Sequence, residues 1–598
     1  MLGPVALSLP FMMGANCAAR LTRMLIPLRF RRLFLCAALL ACSSAALPAS
    51  VAPVAAEHGM VVTAQHLATQ VGVDVLKHGG NAIDAAVAVG YALAVVYPAA
   101  GNLGGGGFMT IQLADGRKTF IDFREKAPLG ATRDMYLDAD GNVVKGLSTH
   151  SALAVGVPGT VAGLELARTA YGTLARGTLI APAIRYADDG FVLDAGDVQM
   201  LHTATADLRR DGASAAIFLN RGQPFEAGQT LVQKDLAATL RRIADDGATG
   251  FYAGPVGAAI VASSRSGHGL ITQADLDQYK ARELKPVECD YRGFHVVSAP
   301  PPSSGGVILC EMLNVLEGYP LKAMGFHSAA AVHVQIEAMR HAYVDRNNAL
   351  GDPDFVHNPL AHLLDKRYAA TLRAAIDPQH AGDSHALKAG VAPHEGSNTT
   401  HYSIVDPFGN AVAVTYTLNG WFGARITAPG TGVLLNNEMD DFTAKPGVPN
   451  LFGLVQGAAN QIAPGKRPLS SMTPTIVTRD GKPLIVLGTP GGSRIITTVL
   501  LTLINVIDYG MDIQEAVDAP RFHQQWLPAS TALEAFCLSP DTEALLRAMG
   551  HQFSAAQPAN HVAAILVGAP KIDGRPLGNN RFYGANDPRR RSGLALGY

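Results

Sequence analysis

Two apolar runs at helical spacing follow Val62: "TAQHLATQVGVDVLKHGG" and "NAIDAAVAVGYALAVVYP". They predict a helix stopped by Gly79-Gly80 and a second one capped by Asn81 and ended by Pro98. The pattern then changes period. In "GNLGGGGFMTIQLADGRKTFIDFREKAP" a glycine run leads into a strand, an Asp-Gly turn and a second strand ending at Asp122-Phe123-Arg124, which predicts a hairpin. Helical spacing dominates from about Thr160 to Arg282 and reads as scaffold. A strand, "FHVVSAP", meets the loop "PPSSGG" at Pro301 to Gly306, and a long helix runs through "HSAAAVHVQIEAMRHAYVDRN". From Asp383 to Ser397 the chain reads as a loop. Strand alternation returns in "TTHYSIVD", "AVAVTYTL" and "PTIVTRDGKPLIVLG", before a last strong helix in "RIITTVLLTLINVIDYG". No repeat is visible, and the mixture predicts a layered α+β fold.

Composition narrows this little but excludes some classes. The 598 residues are 48% hydrophobic and 16% charged, enough for an extensive core. Lys+Arg 48 against Asp+Glu 49 leaves no basic excess of the kind nucleic-acid binding needs. The first 56 residues stand apart: Arg29, Arg31 and Arg32 precede the short apolar run "LFLCAALLAC" and the small-residue stretch "SSAALPASVAPVAA". That is the form of a secretory leader, too short to span a bilayer, so a periplasmic or secreted protein is expected. Cleavage after Ala49 or Ala56, a lipid anchor on Cys42, a twin-arginine signal at "RRLFL" and a start at Met24 all stay open. Three of six cysteines, Cys17, Cys36 and Cys42, belong to the leader. Cys289, Cys310 and Cys537 form no recognisable framework and are expected to be buried small hydrophobes.

Several features invite chemistry and have plainer readings. "GNLGGGG" lacks the Gly-Lys-Ser/Thr of a phosphate loop, so close backbone packing is expected there. His333, Glu337 and His341 share roughly one helix face but lack tight zinc-ligand spacing; a solvated or hydrogen-bonded face is expected and no metal or other cofactor is assigned. Arg589 to Arg591 read as exposed charge. Thr399, at the turn from a polar loop into a strand, is harder to set aside. A threonine hydroxyl needs a base, and His401, two residues along the same strand, is poorly placed to serve. A cut at Asn398-Thr399 would supply one, because the new α-amine has a pKa of about 7.7–8.0. The hydroxyl could make that cut itself by an N-to-O acyl shift. On the local sequence alone, a strand start rich in β-branched residues explains Asn398-Thr399-Thr400 as well.

The wider pattern reverses that balance. "DFREKAP", "YVDRNNALGDPDF", "TTHYSIVD", "NNEMDDF", "KPGVPN", "KRPLSSMTPTIV" and "GTPGGSRIITTVL" together resemble the γ-glutamyltranspeptidase family of glutathione hydrolases, over about residue 57 to Tyr598. The resemblance implies an N-terminal nucleophile hydrolase, a four-layer αββα sandwich cut into a large subunit, 57–398, and a small catalytic subunit, 399–598. It implies Thr399 as nucleophile of both processing and catalysis, Thr417 as its support, and Gly491 and Gly492 as the oxyanion hole. Arg124 with Ser470 and Ser471 would take the substrate's α-carboxylate; Asn419, Glu438 and Asp441 would take its α-ammonium. The implied substrates are glutathione and related γ-glutamyl compounds, with water, amino acids or dipeptides as acceptors. Phe452 stands where relatives with this lid loop often carry tyrosine, so a lid without that hydroxyl latch is expected, its ring still able to cover the site. The rival readings are a related β-lactam acylase acting on glutaryl or cephalosporin side chains, and a γ-glutamyl-binding protein without turnover.

Overall fold

The computed structural model describes residues 50–386, 399–555 and 560–598. The readings of residues 1–49, Cys42 among them, and of the Asn398 side of the expected cut lie outside these.

Two seven-stranded antiparallel sheets organise the chain. In one, the order is Val54–Ala56, Phe582–Asn586, Ala563–Val567, Lys482–Gly488, Thr475–Arg479, Phe294–Ser298 and Val287–Tyr291. In the other it is Leu594–Gly597, Met60–Thr63, Thr400–Val405, Ala411–Thr417, Gly106–Gln112, Lys118–Phe123 and Arg282–Leu284. The hairpin Thr400–Val405/Ala411–Thr417 lies at the centre of the second sheet, with Thr400 opposite Tyr416 and Val405 opposite Ala411.

Both faces of that hairpin are buried, and the side chains divide by size. Tyr402, Ile404, Val412, Val414 and Tyr416 join a large core with the predicted helices His66–Lys77 and Ala82–Val96. Ala411 and Ala413 face the other sheet, packing with Met60, Val62, Ile476, Val486 and Ile565. Period-two alternation thus puts large residues under the helices and smaller ones between the sheets. The first sheet is covered on its far side by Gly305–Leu316 and Arg494–Ile507, in a second core.

Most predicted elements stand. Asn81 caps its helix with a full capping box, its side chain accepting from Ile83 and Asp84 N–H groups. The short strands near both ends, Met60–Thr63, Ala563–Val567, Phe582–Asn586 and Leu594–Gly597, were not expected. Val54–Ala56 is also a strand, paired with Phe582–Gly584.

Two expectations are corrected. Cys289 and Cys310 are not separate buried hydrophobes but a disulfide, because the edge strand Val287–Tyr291 and the helix covering it bring the two together across 21 residues. Only Cys537 is a free, buried thiol among the described residues. In the Arg589 to Arg591 run, Arg589 pairs with Glu534 and Asp587, and Arg590 bonds Tyr97, so two of the three are half-buried structural charges.

Candidate active site

The central hairpin carries Thr399 to its first position. One step beyond the Thr400–Tyr416 pair, the register sets Thr399 opposite Thr417, on the same face of the sheet. Both are almost fully buried and line one cleft with Arg124, Asn419, Glu438, Asp441, Ser470, Ser471 and Gly492. Sequence positions spread over nearly 370 residues therefore meet at the end of one strand pair.

The glycine run explains how Thr417 is held. A Cβ on Gly105 would lie 1.9 Å from the Thr417 carbonyl oxygen, so only glycine allows this approach. Asn102 Nδ2 donates to the same oxygen at 2.9 Å and Asn102 Oδ1 accepts from Gly105 N. Close packing, as expected, is the run's role. Thr417 Oγ1 accepts from Asn419 N at 2.8 Å, and Asn419 takes a left-handed conformation, φ 72°. Its side chain donates to Asn437 O, while Asn437 Oδ1 accepts from Gly420 N.

Both ring nitrogens of His401 are engaged away from Thr399. Its Nε2 donates to Ser403 Oγ, itself a donor to Ala563 O, and its Nδ1 accepts from Thr415 Oγ1 at 2.8 Å. Burial pushes the imidazole down to about 3, so it stays neutral.

Arg124 is completely buried. Its Nη1 donates to Glu438, its Nη2 to Asp441, and its Nε to Pro468 O at 3.1 Å. Burial opposes this charge, but Glu438, Asp441 and Glu125 together hold the guanidinium above its ordinary value. The residues implied for the two ends of a ligand are thus bonded directly to each other. Glu438 and Asp441 ride on one short turn, Glu438–Asp441, whose position is fixed by Asn436: its Oδ1 accepts from Gly156 and Glu438 N–H groups and its Nδ2 donates to Gly104 and Gly156 carbonyls.

Glu125 was not singled out in the sequence. Both its carboxyl oxygens and Glu438 Oε2 are buried without a hydrogen-bond donor among the described residues, Glu125 Oε2 lying 3.7 Å from Arg124 Nη1. The two carboxyls are neighbours, and one proton held between them would satisfy two of these three oxygens. Burial pushes Glu125 up to about 7 against the pull of Arg124, and raises Glu438 as well.

Ser470 and Ser471 are clamped by the "PPSSGG" loop: Ser304 N and Oγ both donate to Ser470 O, Ser303 Oγ donates to Met472 O, and Ser470 N donates to Pro302 O. Gly491 and Gly492 follow the strand Lys482–Gly488 and immediately precede the helix Arg494–Ile507, with φ of 136° and 56°. Their carbonyls receive the first helical N–H groups, from Arg494 and Ile495. N–H groups at such a terminus favour negative charge.

The lid over this cleft is closed by means other than a tyrosine hydroxyl. The Phe452 ring occupies the space beside Gly492 that a Cβ would need, 2.3 Å from its Cδ1. Asp440 accepts from Leu451 N at 2.8 Å, Asn450 Oδ1 accepts from Phe452 and Leu454 N–H groups, and Phe452 O accepts from Gln525 Nε2 at 3.3 Å. Side chains bonded to the backbone of this segment hold it in place, and the Phe452 ring lines the cleft.

The helix-face histidines form a different group from the one expected. His333 and Glu337 meet His551 rather than His341, all three buried. His551 Nε2 donates to His333 Nδ1 at 2.8 Å, His333 Nε2 donates to Asp377 O, and Glu337 pairs with Arg340. The two histidines are bonded to each other and Glu337 to Arg340, in a buried, hydrogen-bonded face rather than a solvated one, with His551 Nδ1 left without a partner among the described residues.

The chain also matches known proteins. The family model described as Gamma-glutamyltranspeptidase matches residues 68–597. A "Glutathione hydrolase proenzyme" of Pseudomonas sp. strain A14 is 72% identical over 551 residues, covering 92% of this chain and 96% of the relative. Among solved structures, cephalosporin acylase from Bacillus halodurans superposes with a TM-score of 0.78 at 26% identity, covering 93% of this chain and 98% of that one. The Helicobacter pylori gamma-glutamyltranspeptidase aligns with a TM-score of 0.53 at 45% identity, over 56% of this chain and 96% of that one.

Proposed function

The chain belongs to the γ-glutamyltranspeptidase family, and on that premise we propose that it is an exported, self-processing γ-glutamyltransferase and glutathione hydrolase. Its fold is the four-layer αββα sandwich of N-terminal nucleophile hydrolases. A single observation carries the reading: a buried threonine at a strand terminus, a second threonine across from it, Gly492 of the glycine pair at a helix terminus and one arginine bonded to two acids all meet in one cleft.

In the mechanism, the Asn398-Thr399 bond is cut first, the Thr399 hydroxyl attacking the Asn398 carbonyl and water hydrolysing the resulting ester. The released α-amine of Thr399 then takes the proton of its own Oγ as that oxygen attacks the γ-amide carbonyl of glutathione. Gly491 and Gly492 N–H groups stabilise the oxyanion, one donor being worth about 3 kcal/mol. Collapse expels Cys-Gly, whose amine regains the proton, and leaves a γ-glutamyl ester on Thr399. Water resolves the ester by hydrolysis; an amino acid or dipeptide amine resolves it by transfer. The α-ammonium of the substrate takes Asp441 and Glu438, with Asn419 beside them, and Arg124, Ser470 and Ser471 are freed to hold its α-carboxylate. No step calls for a metal or organic cofactor.

Several facts support the division at residue 398 and the export. The Helicobacter pylori chain, matched over nearly its whole length, spans a share of this chain close to that of residues 57–398. The Cys289–Cys310 disulfide suits an oxidising compartment. Leader removal after Ala49 keeps the strand Val54–Ala56, whereas removal after Ala56 would delete it. The test is intact-mass measurement with N-terminal sequencing. A fragment beginning Thr-Thr-His-Tyr and turnover of a γ-glutamyl anilide are expected, both absent in Thr399→Ala. A persistently uncut, inactive chain would overturn the proposal.

A further inference from the structure

Arg346 is a buried cation with no acid among its hydrogen-bond partners. It sits in the last turn of the helix Ala329–Ala349 with no solvent exposure. Its guanidinium donates to Ser304 Oγ at 2.9 Å, Asn347 Oδ1 at 2.9 Å, Gln456 Oε1 at 3.3 Å and Ser471 Oγ at 2.8 Å. All four acceptors are neutral. Buried arginines are ordinarily paired, since an uncompensated charge is costly to keep from water. Burial pushes this one down to about 10, so it still carries its charge at neutral pH.

The acceptor that matters is Ser471, which lines the cleft. Because its oxygen receives Arg346 Nη2, its own hydrogen must point elsewhere, and among the described residues that hydrogen has no acceptor. Until a ligand's ammonium takes over an acid, the charge of Arg124 is divided between Glu438 and Asp441. The cleft is therefore polarised. Glu438 and Asp441 are bonded to Arg124, while Arg346, which hydrogen-bonds no acid and feels Asp441 only through space, stands behind Ser471.

We propose that Arg346 is a positioning residue for the α-carboxylate of the γ-glutamyl substrate: it turns the Ser471 hydroxyl into a donor and supplies the positive field that an incoming carboxylate completes. The inference rests on the γ-glutamyl reading above. A zwitterionic α-amino acid end fits this polarity antiparallel, its ammonium towards Asp441 and Glu438 and its carboxylate towards Ser471.

The experiment compares L-γ-glutamyl-4-nitroanilide with 4-aminobutyryl-4-nitroanilide, which lacks only the α-carboxylate, on the processed enzyme. For Arg346→Met, KM for the γ-glutamyl anilide rises at least about tenfold, the scale of a lost charge-assisted contact. The 4-aminobutyryl anilide, followed by turnover or by its inhibition constant against the first substrate, changes less than about threefold. Arg346→Lys recovers part of the loss. Ser471→Ala, which leaves Arg346 and its other three bonds in place, gives a selective loss in the same direction, and the double variant loses less than the product of the two single losses. Equal losses on both substrates, or an unchanged KM for the γ-glutamyl anilide, overturn the proposal. Parent enzyme inactive on both would instead remove the γ-glutamyl reading on which it rests.

Discussion

Replacing Gly491 by alanine puts a methyl group where the cleft has no room for one. An ideal Cβ there lies 2.1 Å from Asn560 Oδ1 and 2.5 Å from its Cγ. Asn560 has little freedom to retreat, because it is buried and its Nδ2 donates to Thr498 Oγ1 at 2.7 Å. The backbone adds a second penalty. A φ of 136° lies in a region open mainly to glycine, where another residue costs roughly 1–3 kcal/mol. The peptide around Gly491 must therefore rotate or shift by a large fraction of an ångström, and its N–H leaves the line to the developing oxyanion. Losing one such donor costs about 3 kcal/mol, or roughly a hundredfold to a thousandfold in kcat.

The assay is kcat per cleaved molecule on γ-glutamyl-4-nitroanilide, with cleaved protein counted by gel densitometry so that slow processing is not mistaken for slow turnover. KM should move little, since the ground-state amide gains less from the oxyanion donors than the tetrahedral intermediate does. A correctly cleaved Gly491→Ala enzyme with kcat within about threefold of the parent would refute the placement of the oxyanion at this helix terminus.

Three further outcomes are expected. Glu125 is pushed up to about 7 from an ordinary 4.5, so between those values the folded protein holds a proton that the unfolded chain releases. Stability should therefore fall as pH rises through that window, and Glu125→Gln should flatten the slope of the urea midpoint between about pH 5 and 7; an unaltered slope would mean that the proton resides elsewhere. Phe452→Ala removes the ring packed on Gly492 and should raise KM for the anilide at least about threefold without blocking the cut, and an unchanged KM would show that the ring does not cover the site. Serine at both Cys289 and Cys310 removes a cross-link across 21 residues and should cost about 3 kcal/mol in denaturant unfolding, matching the parent under reductant; coincident melting curves without reductant would argue that the disulfide is not formed.

Local signals in the sequence were sufficient where one segment decides its own structure. Asn81 with Asp84 three residues on marks a capping box, the Asp-Gly turn fixes the first hairpin, and the apolar run after Arg494 can only be a covered helix. The cleft residues were legible through the motifs that carry the family resemblance. What escaped was long-range. A lone arginine in "YVDRNN" looks like any solvated helix charge, and only the packing of its helix against the Ser303-Ser304 loop makes Arg346 part of the cleft. The Cys289–Cys310 pair gives no signal because the bond is made by a helix folding back over an edge strand. Strands of three to five residues near the termini carry too few positions for alternation to register. His551 replaced His341 for the same reason: helical spacing finds neighbours within one helix and none beyond it.

Charge placement also bears on the rival acylase reading, which the Bacillus halodurans structure keeps in view. A glutaryl group would bring a carboxylate and no ammonium. Arg124 could turn to that carboxylate only by leaving Glu438 or Asp441, and breaking a buried pair without replacement costs about 3–5 kcal/mol. A γ-glutamyl group brings both charges, so its ammonium takes over an acid at the moment its carboxylate takes over the arginine. Every ion pair that opens is replaced by another, and the field of Arg346 points the exchange in one direction. The bonds between Arg124 and its two acids are thus ones that a zwitterion can exchange and a simple dicarboxylic acyl group cannot. Selection against glutaryl substrates should accordingly lie in binding, with glutaryl-4-nitroanilide showing a much higher KM than its γ-glutamyl counterpart; Asp441→Asn should narrow that gap by removing the acid that the glutaryl group strands. An unchanged ratio of the two KM values in that variant would place the discrimination elsewhere.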